Sequence, residues 1–194
     1  MQHFDVELHL KTRKKVNGPE DLVEACLRGD RRAQKALYDI LSPKMYPLCI
    51  RYMGDRMAAE DVLQDGFVTL FTKLDSYSAQ GSLEGWARKI FVNTALMALR
   101  KSDVLRESED IDVARSLGGD DVTALQRLSY KELESLIAAL PAGFRTVFNM
   151  YVIEGYSHKE IAESLGISEV TSRSQLQRAR MLLQKKIKEV NDAR

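Results

Sequence analysis

The sequence contains few of the residues that mark specialised structural classes. Among its 194 residues are 2 Cys, 4 Pro and 11 Gly, which excludes a disulfide scaffold, a collagen-like repeat and a low-complexity chain. No apolar run approaches the roughly 18 residues that span a bilayer, and the N-terminal MQHFDVELHLKTRKK lacks the apolar stretch of a signal peptide. We therefore expect a soluble, cytoplasmic protein without membrane insertion, in which Cys26 and Cys49 are reduced core thiols.

Histidine and clustered carboxylates, the usual components of an enzyme active site, are also scarce. The three histidines are His3, His9 and His158, and no Cys-His or paired-carboxylate constellation is visible. The sequence therefore predicts no catalytic residues, no metal site and no cofactor, and an enzyme is the least supported class of function.

An overall excess of one charge is absent as well. With 29 basic and 28 acidic residues the net charge is +1, which excludes an indiscriminate polycation. Four basic and no acidic residues nevertheless lie in 88–101, and six basic and no acidic residues lie in 171–188. The segment 102–139 holds four basic and nine acidic residues. Two basic segments around an acidic one predict that both ends of the chain contact polyanions.

Apolar residues recur at helical spacing over most of the chain and indicate an all-α fold. The predicted helices cover residues 21–53 with a break at Gly29-Asp30, and then 58–74, 83–102, 125–140, 144–154, 158–165 and 169–190. Between Asp103 and Val122 the apolar content falls and acidic residues cluster, as in a flexible linker. We predict two small helical domains, residues 20–101 and 125–190, joined by a flexible acidic linker, residues 102–124.

The N-terminal arm, residues 1–19, carries the one strand-like pattern, FDVELHL. A single strand has no obvious partner in this chain, so we expect a mobile arm, and a strand that pairs with another chain is the alternative. For the acidic segment, our hypothesis is that it folds against the basic C-terminal helix and limits DNA binding by the free protein.

The most specific motif is SHKEIAESLGISEVTSRS, which begins at Ser157. Ser157 and Glu160 form a capping box, Gly166 suits a helix end, and Ser168 can cap the next helix. This pattern is typical of a helix-turn-helix, whose second helix enters the major groove of DNA. Ser172, Leu176, Ala179 and Leu183 would face inward. The DNA-binding candidates are Lys159, Thr171, Arg173, Ser174, Gln177, Arg178 and Arg180. The alternative is an ordinary solvated basic helix that closes a bundle.

Two further segments of the N-terminal half carry side chains that suit binding to other molecules. The loop SYSAQGSL and the basic helix after it combine aromatic, amide and cationic side chains, which suit a separated nucleic-acid strand. These candidates are Tyr77, Trp86, Arg88, Lys89, Asn93 and Arg100, although Trp86 alone reads as a core residue. On the preceding helix Asp61, Gln64 and Asp65 form an acidic patch, which by itself reads as a solvated face.

Several motifs together resemble the extracytoplasmic-function sigma factors, which are small bacterial transcription-initiation factors. The motifs are AEDVLQDGF (residues 59–67), GWARKIFVNTALMALRK (85–101), LPAGFRTVFNMYVIEGYSHKEIAESLGIS (140–168) and SQLQRAR (174–180). Their order along the chain also matches, and the resemblance covers residues 20–188.

The resemblance implies a role for each of these surfaces. Asp61, Gln64 and Asp65 would bind the clamp helices of the largest subunit of core RNA polymerase. The segment from Tyr77 to Arg100 would melt and read the minus-ten element of promoter DNA, with a flipped base held by the loop before Trp86. The last helix would read the minus-thirty-five element, catalysis would belong to the polymerase, and an anti-sigma factor is a further partner that the family suggests.

Four residues differ from those that are frequent in the family. Met97 replaces an acid, Leu83 an aromatic residue, Val170 a glycine and Ser172 a valine. The last two lie at the start of the reading helix and predict a change in the bases that are read. The main alternative function is a two-domain helix-turn-helix regulator that binds a symmetric operator as a dimer, without polymerase.

Overall fold

The computed structural model describes residues 18–101 and 129–192, and all regular structure in these ranges is helical. The α-helices are α1 (Pro19–Leu27), α2 (Arg31–Met53), α3 (Arg56–Thr72), α4 (Leu83–Lys101), α5 (Tyr130–Ala138), α6 (Ala142–Phe148), α7 (His158–Leu165) and α8 (Glu169–Asp192). A 3₁₀ turn covers Leu74–Ser76, and a π-helical segment covers Asn149–Ile153. The all-α prediction is confirmed. The predictions for the arm, the linker and the start of the fifth helix lie outside the described residues.

Local side-chain chemistry sets the helix ends in the N-terminal half. The Asp30 carboxylate accepts hydrogen bonds from the amides of Arg32 at 2.8 Å and Ala33 at 3.3 Å, and so begins α2. Gly54 ends α2 in the left-handed conformation with φ of 72°. The predicted breaks at both places are confirmed. Pro43 and Pro47 lie inside α2, which continues through both.

The core of the N-terminal half lies between α2, α3 and α4. Its fully buried side chains include Leu37, Leu41, Met45 and Leu48 of α2, Leu70 of α3 and Phe91 of α4. The rings of Phe67 and Phe91 meet edge to face, with centroids 5.1 Å apart. A Cβ atom at Gly66 would collide with the ring of Phe91, so α3 can lie this close to α4 only because residue 66 has no side chain.

Capping boxes begin two helices of the C-terminal half. Ser129 and Glu132 cap α5, and Ser157 and Glu160 cap α7. Pro141 lies between α5 and α6 and caps the start of α6. The predicted helix over 144–154 is α6 from Ala142 followed by the π-helical segment, so its type changes at Asn149. The local core is formed by Ile137, Leu140, Phe144, Ala179, Leu183 and Ile187.

The two halves pack against each other through the C-terminal end of α2. The buried guanidinium of Arg145 donates hydrogen bonds to the carbonyls of Ala138 (2.7 Å) and Leu140 (2.9 Å) in its own half. It also donates to the carbonyls of Tyr52 (2.9 Å) and Met53 (2.8 Å) of α2. The apolar core of the N-terminal half extends across this contact to Val147, Met150, Ile161 and Leu176.

The close approach of α3 and α4 generates a stability prediction. Replacing Gly66 with alanine forces the buried Phe91 ring to move, and we expect the free energy of unfolding to fall by about 1 to 3 kcal/mol. Gly18→Ala is the control, since a Cβ at this extended backbone position would meet no atom within 4 Å. Urea denaturation followed by circular dichroism measures both, and an unchanged midpoint for Gly66→Ala would contradict the packing argument.

Candidate nucleic-acid interface

Helices α7 and α8 form the predicted helix-turn-helix. Gly166 ends α7 in the left-handed conformation with φ of 69°. The Ser168 hydroxyl then accepts a hydrogen bond from the amide of Thr171 at 3.0 Å, which satisfies a free donor at the start of α8. The short turn is therefore built by the residues that the motif singled out, and it fixes the direction in which α8 leaves α7.

The two faces of α8 differ as predicted. Ser172, Leu176, Ala179 and Leu183 are buried, with exposed fractions of 0, 4, 0 and 5%. Among the seven DNA-binding candidates, Lys159, Arg173, Ser174, Gln177 and Arg180 are exposed, while Thr171 and Arg178 are half-buried. The structure thus brings the candidates of α8 to one side of the helix, opposite its buried face.

Several of these candidates have partners within the chain. Arg173 Nη2 lies 2.6 Å from Glu169 Oε2, one turn earlier on the exposed face. An exposed pair of this kind contributes only about 0.3 to 0.5 kcal/mol, so a ligand can replace it readily. The guanidinium of Arg178 lies 6.0 Å from the centroid of the Phe144 ring, which holds it against the core.

One contact that the sequence pattern did not indicate joins the two helices of the motif. His158 Nδ1 lies 2.9 Å from the hydroxyl of Ser172, which is fully buried. The Tyr151 ring stacks on the His158 ring with centroids 4.4 Å apart. Burial lowers the pKa of His158, and the positive charges of Arg173 and Arg180 lower it further. Ser172, one of the four unusual residues, therefore serves as a polar link between α7 and α8.

The candidates of α4 divide into two groups. Lys89, Asn93 and Arg100 are exposed, and with Met97, which is 68% exposed, they follow one stripe at spacings of four, four and three residues. Trp86 is half-buried and packs against the core, and its ring centroid lies 5.4 Å from that of Tyr77. The Tyr77 hydroxyl donates to the Gly81 carbonyl at 3.0 Å and so ties together the loop before α4.

Arg88 lies apart from this stripe. Its Nη1 atom lies 3.2 Å from each carboxylate oxygen of Glu154, which follows the π-helical segment in the C-terminal half. Successive residues of an α-helix are rotated by about 100°. Arg88 is therefore half-buried against Glu154, whereas its neighbour Lys89 is exposed.

A cavity of about 550 Å³ lies beside the loop before α4. Leu22, Leu37, Ile40, Leu41 and Leu83 supply apolar lining, and Tyr77 also lines the cavity. Lys44 and Glu84 form an ion pair of 2.5 Å among the lining residues. Residues of the loop before α4 thus border a largely apolar cavity.

The acidic patch on α3 is larger than the three predicted residues. Asp61, Gln64 and Asp65 are exposed, and Met57 and Val68 lie in line with them, 73 and 66% exposed. Positions 57, 61, 64, 65 and 68 repeat at helical spacing and form one face. The sequence pattern did not indicate Met57 and Val68, because apolar residues of a helix are expected to be buried in the core.

Comparison with known proteins places both halves in one family. The model of Sigma-70 region 2 matches residues 37–104, and the model of Sigma-70 region 4 matches residues 130–183. The ECF RNA polymerase sigma-E factor of Haemophilus influenzae is 31% identical over 178 residues, which are 86% of this chain and 93% of that protein. The ECF RNA polymerase sigma factor SigW of Bacillus subtilis is 27% identical over 84% of this chain and 93% of its own.

Among solved structures, the chain is similar to the sigma factor RpoE of Bartonella quintana in complex with the anti-sigma factor NepR. It is 22% identical, covers 79% of this chain and 96% of its own, and has a TM-score of 0.49.

The link between His158 and Ser172 predicts a pH dependence. Because the folded state lowers the pKa of His158, the unfolded state binds a proton more readily, and stability falls as the pH drops through the ordinary histidine value of about 6.5. We expect the melting temperature to fall more between pH 7.5 and 5.5 for the wild type than for His158→Gln, whose amide can bond to Ser172 without titrating. Equal losses in thermal melts of the two proteins would contradict this role.

Proposed function

The chain belongs to the extracytoplasmic-function group of the sigma-70 family, and from this premise we propose which of its surfaces direct RNA polymerase to promoters. As a sigma factor it binds core RNA polymerase and promoter DNA. The observation that carries the assignment is the outward face of α8, where Arg173, Gln177 and Arg180 stand exposed on a capped helix-turn-helix.

We assign the minus-thirty-five element to this face. Arginine can bind the guanine edge through two hydrogen bonds, and glutamine can bind the adenine edge in the same way. Lys159 lies near the N-terminus of α7, where its charge suits a backbone phosphate rather than a base. The remaining candidates, Thr171, Ser174 and Arg178, would complete the contacts with the groove and its phosphates.

We assign the minus-ten element to the stripe of α4 and the loop before it. Lys89 and Arg100 would neutralise phosphates, Asn93 would bind base edges, and Tyr77 and Trp86 would supply stacking surface for a separated strand. The loop stands above an apolar cavity, which supports the role of a base holder. Arg88 would join these contacts once it is released from Glu154.

We assign core polymerase to the α3 stripe formed by Met57, Asp61, Gln64, Asp65 and Val68. Its exposed apolar ends can be desolvated in a complex, while the carboxylates select a basic partner surface. The α3 and α4 stripes lie on adjacent helices of one core, so polymerase and promoter would be bound by the same small bundle.

The boundaries of the functional units follow from these assignments. We propose residues 20–101 as the polymerase-binding and minus-ten domain, 102–124 as the linker and 125–190 as the minus-thirty-five domain. The protein would work in the cytoplasm, where transcription takes place, and would carry no catalytic residue of its own. No helix in the described ranges 18–101 and 129–192 is long and apolar enough to cross a membrane.

The decisive experiment is to mix the protein with core polymerase and a linear DNA library and to sequence the start sites of the transcripts. The proposal expects initiation at a defined set of sites that depends on both components. Tight binding of a dimer to a symmetric duplex without polymerase, and no initiation with it, would instead support the helix-turn-helix regulator.

Substitutions on α8 test the reading of the upstream element. Arg173→Ala and Gln177→Ala should each weaken recognition by about 1 to 3 kcal/mol per lost base contact and relax the sequence preference there. Lys188→Ala, which removes one exposed charge further along α8, is the control. Run-off transcription from templates that vary at each upstream position measures the effect, and an equal loss on all templates would mean that the residue contacts phosphate.

Substitutions on α3 test the polymerase surface. Asp65→Asn and Val68→Ser should each weaken binding to core polymerase by about 1 to 2 kcal/mol, because one removes charge complementarity and the other removes apolar contact. Glu24→Gln on α1, another exposed acid, should have no effect. Biolayer interferometry with immobilised core enzyme measures all three, and unchanged affinity for Val68→Ser would remove the apolar end from the interface.

A further inference from the structure

Glu154 is a buried carboxylate that depends on the other half of the molecule for its partners. Its side chain is 3% exposed, and it contacts Arg88 of α4 at 3.2 Å and Arg51 of α2 at 3.5 Å. Removing a carboxylate from water is costly unless it is paired and hydrogen-bonded. The two arginines of the N-terminal half supply that pairing, so Glu154 is stabilised only while the halves are in contact. We call Arg51, Arg88 and Glu154 the latch.

Hydrogen bonds to the end of α2 hold the latch in place. Arg145 donates to the carbonyls of Tyr52 and Met53, and Asn149 Nδ2 donates to the carbonyl of Arg51 at 2.8 Å. These contacts come from α6 and the start of the π-helical segment, which leads directly to Glu154. Separation of the halves would therefore break them together with the ion pairs.

The same interface also contains polar atoms that lack a hydrogen-bond partner in the described structure. They are Arg51 Nε, Tyr52 Oη and Asn149 Oδ1, and all are buried. Each such atom regains water when the halves separate, which offsets part of the cost of breaking the latch. An interface with these features suits a reversible contact better than a permanent core.

The outer side of the latch is accessible. A groove of about 290 Å³ lies beside it, lined by Arg88 and Lys89 of α4 and by Glu154 and Tyr156 of the C-terminal half. The Arg88 side chain is 35% exposed. A carboxylate and a phosphate both present two oxygens to a guanidinium in the same planar geometry. A phosphate can therefore approach Arg88 from this groove and replace the Glu154 carboxylate.

This inference rests on the proposed function: we propose that Glu154 competes with the promoter strand for binding to Arg88. In the closed protein Glu154 occupies the guanidinium that would otherwise bind a backbone phosphate near the minus-ten element. DNA binds with its full affinity only to the open form, so the apparent affinity is lowered by the fraction of molecules that are open. The free protein is thereby kept from DNA by a contact between its own two halves.

Glu154→Gln tests this competition, since it removes the charge at nearly constant size. The control is Glu163→Gln, which makes the same change in net charge at an exposed residue of α7. Binding of the free proteins to a fluorescein-labelled, single-stranded 20-mer of mixed sequence is measured by anisotropy at low salt. We expect Glu154→Gln to bind on the order of three- to tenfold more tightly than Glu163→Gln, with a larger radius of gyration in X-ray scattering. Equal affinities, or an unchanged radius, would overturn the proposal.

A second variant opens the interface without changing the charge. A side chain at Gly54 would collide with the Arg145 guanidinium and the Ala138 carbonyl, and asparagine tolerates the positive φ of this position. Gly54→Asn should also bind the 20-mer more tightly and have a larger radius of gyration. If Glu154→Gln does not fold, as judged by loss of its helical circular dichroism, Gly54→Asn tests the latch in its place. A compact Gly54→Asn protein with wild-type affinity would overturn the latch.

Different experiments test the latch and the proposed function, so either proposal can be contradicted without the other. Initiation by the wild type with core polymerase tests the function and does not depend on the closed form, whereas the 20-mer and scattering measurements use no polymerase. Normal initiation combined with no gain for Glu154→Gln would remove the latch and leave the sigma-factor assignment intact.

Discussion

The guanidinium of Arg145 is the interaction on which the arrangement of the helices depends. It is buried and donates to four carbonyls, those of Ala138 and Leu140 at the end of α5 and those of Tyr52 and Met53 at the end of α2. Carbonyls at the C-terminal ends of helices carry partial negative charge and lack donors within the helix. One cation therefore caps two helix ends from different halves, and burial lowers its pKa without removing its charge. The positions of α6 and the following π-helical segment relative to α2 depend on this residue.

Local chemistry explains why much of the fold could be predicted from the sequence. Capping boxes, glycines at helix ends and the buried stripe of α8 depend on residues a few positions apart, and their patterns are visible in the chain. Arg145 and Tyr52 are 93 residues apart, and Arg145 reads in the sequence as one more basic residue of an amphipathic helix. The basic segment 88–101 makes Arg88 and Lys89 equivalent DNA-binding candidates in the sequence, whereas in the structure Arg88 contacts Glu154. Pairings between halves have no periodic signature, so sequence patterns could not predict them.

The three helices that carry the candidate binding residues, α3, α4 and α8, share one arrangement. Each helix uses one face to join a core and presents on the other a short row of side chains with distinct chemistry. Carboxylates with flanking Met57 and Val68 stand on α3, cations with an amide stand on α4, and arginine with glutamine stands on α8. Because each row belongs to a rigid helix, substitutions within a row can change recognition without disturbing the core beneath it. Residues at which two helices pack together, such as Ser172 and Gly66, differ, because substitutions there would disturb the core.

Trp86 is the single tryptophan of the chain, and it packs beside Tyr77 at the loop before α4. Indole emission depends on the polarity of its surroundings and on rings stacked against it. The indole emission of the unlabelled protein therefore arises next to the proposed base-holding loop. Any strand that separates the Tyr77 and Trp86 rings, or inserts between them, would change that emission, so the molecule carries a built-in optical probe at the place where the promoter would open.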